Sequence, residues 1–201
     1  MTQFSWTDDR KGATPERDAL DRRHPERLKL RPRDIGALRE ALDVVDQMWA
    51  PTIERAKQHP AQMLHERVDG EYSFVETLRH LLFAWDAWLT RMVLRVPNAY
   101  HPWGVPPAFG GEHPGALLDA PPDTGPELDQ VLEVRTERLA QVRDYLSRAT
   151  DEQLASVVSS PDPTGHPQGD YRVLLCFRVV LNEEWWRHQF ATRDLAVLEG
   201  R

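Results

Sequence analysis

The residues of this chain best spaced for joint chemistry are Glu184 and His188, one helical turn apart in the segment Tyr171 to Glu199, where no Gly or Pro intervenes. Phe177, Leu181, Glu184, His188, Ala191 and Leu195 advance by four, three, four, three and four residues, so the acid and the imidazole share a face with apolar side chains. Both are expected to point into a core. A buried carboxylate without a partner costs several kcal/mol, so Glu184 calls for a cation, a metal ion or several hydrogen bonds. Two side chains at i, i+4 can bind one ion, and helical bundles commonly take metal ligands in such pairs. A plain hydrogen bond between Glu184 and His188 satisfies the same spacing.

A third ligand has to come from another helix, and His80 is the best-placed histidine for it. It lies six residues after Phe74, on a face with Glu76, Ala84 and Ala87 rather than on the Leu and Trp stripe of its own segment. That position suits either a pocket wall or an exposed imidazole. If the two helices run antiparallel, His80 and His188 come to comparable depths. Glu76 could orient His80 as an acceptor one turn away, although a capping role already accounts for it. Arg135 sits inside an apolar stripe, where a guanidinium would hold an acidic substrate group or pair with Glu184 or Glu76. His101 and Trp103 fall in a Pro-rich loop and read as a pocket rim or a loop anchor. His24, His59, His65, His113 and His166 have no spacing partner and are read as solvated. Cys176 faces away from His188, which argues against a nucleophilic or ligand role.

The elements that must position these groups are helical. From Asp34 onward Ile35, Leu38, Leu42, Val45, Trp49 and Ile53 recur every three or four residues, giving a first helix with a kink expected near Pro51. SFVE at 73–76 is a capping box, so a second helix starts at Phe74 and ends before Pro97. Residues 97 to 126 hold eight prolines and several glycines, a composition that fits a long crossover or a lid. A third helix follows from about Glu127 to Ala149 and the fourth from about Tyr171 to Glu199. With no convincing strand pattern, the fold class is all-α, a helical bundle.

The chain of 201 residues is 40% hydrophobic and 28% charged, which suits one domain from 34 to 201, preceded by an arm over 1–33 that wraps the domain or packs on a partner. The net charge of −7 leaves no basic surplus for nucleic-acid phosphates. One cysteine excludes an internal disulfide and points to a reducing, cytoplasmic setting. No apolar leader and no run near the ~20 residues needed to span a bilayer is present, which disfavours secretion and membrane insertion.

DGEYSFVETLRHLLFAWDAWL at 69–89 and LNEEWWRHQFATRDLAVLE at 181–199 resemble the two signature helices of the DinB-like family, and LDRRHPERLKLRP at 20–32 resembles one branch of it. The resemblance covers roughly residues 20 to 199. It implies a four-helix bundle of up-down-down-up topology with a long crossover between the second and third helices. It also implies a divalent metal ion held by one histidine on the second helix and two on the fourth. His80 and His188 match two of those positions, and Glu184 stands where the family has its other histidine. The implied metal is zinc, with nickel, manganese or iron as alternatives, and two His plus one carboxylate would leave open positions for water or substrate. The implied activity is thiol-dependent S-transfer or isomerisation of a small electrophilic molecule, with mycothiol, bacillithiol or glutathione as cosubstrate. A metal-dependent hydrolase and a non-catalytic, metal-binding, stress-associated homodimer are the other readings.

Overall fold

The structure, a computed structural model, describes residues 15–106 and 125–201. Residues 1–14 of the arm and residues 107–124 of the crossover, His113 among them, lie outside the described residues.

The described residues open with α1 (Pro15–Arg23) and a 3-10 turn (Pro25–Leu30). Four long helical segments follow, with short elements between them. The first is α2 (Ile35–Ala56), whose N-cap Asp34 accepts from the Ala37 amide. It runs without interruption past Pro51, an exposed residue, where the sequence suggested a kink. After the short α3 (Ala61–Leu64) comes α4 (Phe74–Trp85), and its capping box is formed as expected: Ser73 accepts from the Glu76 amide while Glu76 accepts from the Ser73 amide. The helix then widens into a π-helical segment (Asp86–Arg91). This widening was not legible in the side-chain periodicity. The third long helix is α5 (Leu128–Arg148). It is followed by α6 (Asp151–Ala155) and by a two-stranded antiparallel ribbon that the sequence reading did not anticipate, β1 (Val157–Ser159) pairing β2 (Asp170–Arg172) with Val158 opposite Tyr171. The last helix is α7 (Val173–Glu199).

Helix α7 packs against α4 and α2, and α5 packs against the same two. Arg178 donates to the Pro32 carbonyl, Thr52 meets His188 and Arg55 pairs with Glu199, so α2 and α7 run in the same direction. Arg39 reaches the Leu146 carbonyl while Arg143 pairs with Asp43 and Asp46, which opposes α5 to α2. Glu71, before α4, pairs with Arg193 near the end of α7, and Trp88 packs edge-on against Tyr171 before its start, which opposes α4 to α7. The core joins Leu38, Leu42, Val45 and Trp49 to Leu78, Leu81, Leu89, Phe177 and Leu181. Burying such side chains stabilises the fold by about 1.5–3 kcal/mol each.

Residues 20–32 lie on the domain and are held by buried charge. Arg27 is 6% exposed, 4.6 Å over the ring of Trp185, and pairs with Asp21, which also takes Arg31. Among the described residues no helix is long and apolar enough to cross a membrane.

Candidate functional site

Helix α7 buries two faces, and each carries an acid with a side chain four residues on. Val173, Cys176, Val180 and Glu183 form one buried line, and Phe177, Leu181 and Glu184 the other. Successive residues differ by 100° around a helix axis, so the adjacent carboxylates meet different neighbours.

Glu184 is fully buried. Both of its oxygens accept from Nη2 of Arg135 at 3.1 Å, and Oε1 also accepts from the indole Nε1 of Trp85 at 2.6 Å. The guanidinium also lies over the face of Trp49, 5.7 Å from its centroid. Of the readings open for Arg135, the ion pair with Glu184 is the one formed. His188, beyond Glu184, meets Thr52 Oγ1 through Nε2 at 2.9 Å and packs edge-on against Trp49, with burial pushing its pKa down. Its Nδ1 is buried with no well-formed hydrogen bond, and the Met48 backbone on α2 is the polar group near the ring.

His80 belongs to the other face. It is 1% exposed, and Nδ1 lies 3.0 Å from the carbonyl oxygen of Val105, at the start of the crossover. A carbonyl only accepts, so Nδ1 carries a proton and Nε2 is turned to the remaining partners. Those are Glu183 Oε2 at 3.2 Å and Arg187 Nη2 at 3.1 Å. Arg187 Nε also donates to Glu183 Oε2 at 3.1 Å, which closes a triangle of imidazole, carboxylate and guanidinium. Tyr72 covers it, with its ring 5.4 Å from His80 and 5.5 Å from the guanidinium carbon. Burial alone would raise the pKa of Glu183, but its contact with His80 and the charge of Arg187 outweigh it and hold the carboxyl below its ordinary range.

The three residues singled out in the sequence hydrogen-bond to different partners. Glu184 and His188 serve contacts to α5, α4 and α2, while His80 is met by Glu183 and Arg187. Those two residues were missed because Glu183 and Arg187 repeat the i, i+4 spacing of Glu184 and His188 one position earlier, and the apolar stripe favoured the second pair. Glu76 pairs with Arg67 and caps α4 rather than orienting His80. His101 and Trp103 anchor the crossover: the amide of His101 donates to Asp86, and the carbonyl of Trp103 accepts from Arg79. Several histidines read as solvated have partners, since His24 packs on Trp185, His59 meets Glu199, and His166 stacks on Phe83 with its pKa lowered by burial. Cys176 is fully buried, which pushes its thiol up to about 12 and leaves it inert as a nucleophile.

The model of the DinB superfamily matches residues 45–190, a span that contains every residue of both faces just described. The chain belongs to the DinB superfamily. Searches of curated proteins and of solved structures gave no match. The divalent ion that the DinB resemblance implies can be tested against the donors present. Glu184 has its charge balanced by Arg135, and His80 reaches neither Glu184 nor His188 by hydrogen bond. Around His80 the third group is a guanidinium, which offers five donors and no lone pair. With Glu184 paired to Arg135 and Glu183 to Arg187, these residues as placed do not fit the ion.

Proposed function

We propose that this DinB superfamily protein is a thiol-dependent enzyme, an S-transferase or isomerase acting on a small electrophilic molecule, with His80 as proton acceptor. What carries the proposal is the convergence on His80 Nε2 of a buried carboxylate and a guanidinium, with Nδ1 held by Val105. The antiparallel and parallel pairings of α2, α4, α5 and α7 support reading the fold as the family's four-helix bundle of up-down-down-up topology. Arg187 is the most exposed member of the triangle, its side chain 22% accessible, and gives the side from which a cosubstrate would approach.

The chemistry balances without further reagents. Arg187 turns from Nε2 to the entering thiol, the thiol gives its proton to His80 Nε2, and Glu183 stabilises the imidazolium that forms. The thiolate lies against Arg187 and attacks the electrophilic carbon. As the C–S bond forms and the leaving group departs, the proton returns from Nε2 to that group. In an isomerisation the thiol adds and is then eliminated, so the same proton is borrowed and returned. General acid–base help of this kind contributes roughly 10²–10⁴-fold.

A metal-dependent reading through His80, Glu184 and His188 has one observation in its favour, the buried Nδ1 of His188 with no well-formed hydrogen bond. It would require Glu184 to leave Arg135 and Trp85, so it ranks below. The test is a panel of low-molecular-weight thiols with a generic electrophile, run beside ester and amide substrates. Thiol consumption that disappears in His80→Ala supports the proposal. Ester or amide hydrolysis without thiol consumption favours the hydrolase, and no turnover on either panel favours a non-catalytic binding protein.

A further inference from the structure

The group facing Glu183 from the next turn of α7 is a cation supplied by the chain itself. Arg187 Nε lies 3.1 Å from Glu183 Oε2 and Arg187 Nη2 lies 3.1 Å from His80 Nε2, so the guanidinium bridges the carboxylate and the imidazole as a bound ion would. One imidazole from α4 and an i, i+4 pair from α7 is a three-ligand arrangement with one ligand exchanged for a charge. We infer that Arg187 is the resident cation of this centre and takes the place of a divalent metal ion between His80 and Glu183.

The local charge count supports the inference. Among the described contacts of Glu183, the carboxylate is matched by the single positive charge of Arg187, and the guanidinium lies over the rings of Tyr72 and Phe190 at 5.5 and 5.9 Å. A divalent ion would have to expel that guanidinium and would then find two ligands, His80 Nε2 and Glu183, where a closed site takes four and a catalytic site at least three. The second nitrogen of His80 is already committed to Val105. Exchanging the guanidinium for an imidazole at position 187 would supply a third lone pair from the same turn and remove the competing charge together. The centre is, on this view, one substitution away from a zinc site.

The experiment is a zinc chloride titration by calorimetry, with elemental analysis of the tag-free full chain as purified. It uses the wild type, Arg187→His, and the double variant His80→Ala with Arg187→His, each checked for an unchanged far-ultraviolet spectrum. The expected result is no stoichiometric zinc in the wild type, a gain of ~100-fold or more in zinc affinity in R187H with one equivalent bound, and loss of that gain in the double variant. Stoichiometric metal in the wild type that His80→Ala abolishes would overturn the inference, and this reading needs no R187H protein. A folded R187H that binds zinc no better than wild type would overturn it as well.

Discussion

Glu183 and Glu184, adjacent in sequence and both buried, are neutralised by two different arginines. Arg187, on the same helix, takes Glu183, and Arg135, from α5, takes Glu184. The 100° between them sends one carboxylate to His80 and the other to a packing contact shared by α4, α5 and α7.

That division makes the Glu184 pair a matter of stability. Removing one partner of a buried ion pair leaves an uncompensated charge, so Arg135→Ala should cost about 3–5 kcal/mol. Glu184→Gln keeps an acceptor for the Trp85 indole and leaves a guanidinium with some access to water, so its cost should be smaller. Urea denaturation measures both. Losses below about 0.5 kcal/mol for the two variants would contradict the arrangement.

Glu183 belongs to the chemistry instead. Glu183→Gln removes the charge that stabilises a protonated His80, and thiol turnover should fall ~10²-fold or more, with little change in KM for the electrophile. Glu184→Gln, where it remains folded at the assay temperature, should retain most of the wild-type kcat. Equal loss in the two variants would count against separate roles.

The N-terminal segment should be sensitive to one side chain. Arg27 joins Asp21 to the faces of Trp185 and Trp186, so Arg27→Ala should lower stability by roughly 1–3 kcal/mol. Residues 15–30 should also open to limited proteolysis. Arg27→Lys keeps the charge but not the planar stack and should fall between. An unchanged digestion pattern in Arg27→Ala would show that the segment is held by other contacts.

Stability should fall as pH drops from 7.5 to 5.5. Burial lowers the folded-state pKa of His101, His166 and His188, with Arg138 and Arg91 adding to the first two. The unfolded chain then binds more protons below about 6.5 than the folded one does, so folding free energy is lost on acidification through that range. His166→Gln should flatten the slope between the two pH values. A urea midpoint that rises on acidification would reverse the sign and contradict the burial of these groups.

Much of the fold was legible because local chemistry and tertiary packing agree. Asp34 caps α2, Ser73 and Glu76 cap α4, and the line Phe177, Leu181, Glu184, Ala191, Leu195 is buried as its spacing requires. The π-helical segment was hidden because all six of its residues, Asp86, Thr90 and Arg91 included, are buried, leaving no exposed face to mark the change of register. The ribbon was hidden because three residues per strand are too few for an alternating pattern. Of the site, His80 was found through family resemblance, and its face on α4 is buried rather than exposed. Its partners were missed for a definite reason. Periodicity finds a buried stripe, but α7 has two, and only the neighbouring helix decides which of Glu183 and Glu184 meets the imidazole.

The most direct test of that assignment is the ¹⁵N resonance of His80 Nε2 at neutral pH in the wild type, Glu183→Gln and Glu184→Gln. A nitrogen 3.2 Å from Glu183 should shift in Glu183→Gln and stay in place in Glu184→Gln. A resonance that moves in Glu184→Gln and holds still in Glu183→Gln would place His80 against the other carboxylate and contradict the account.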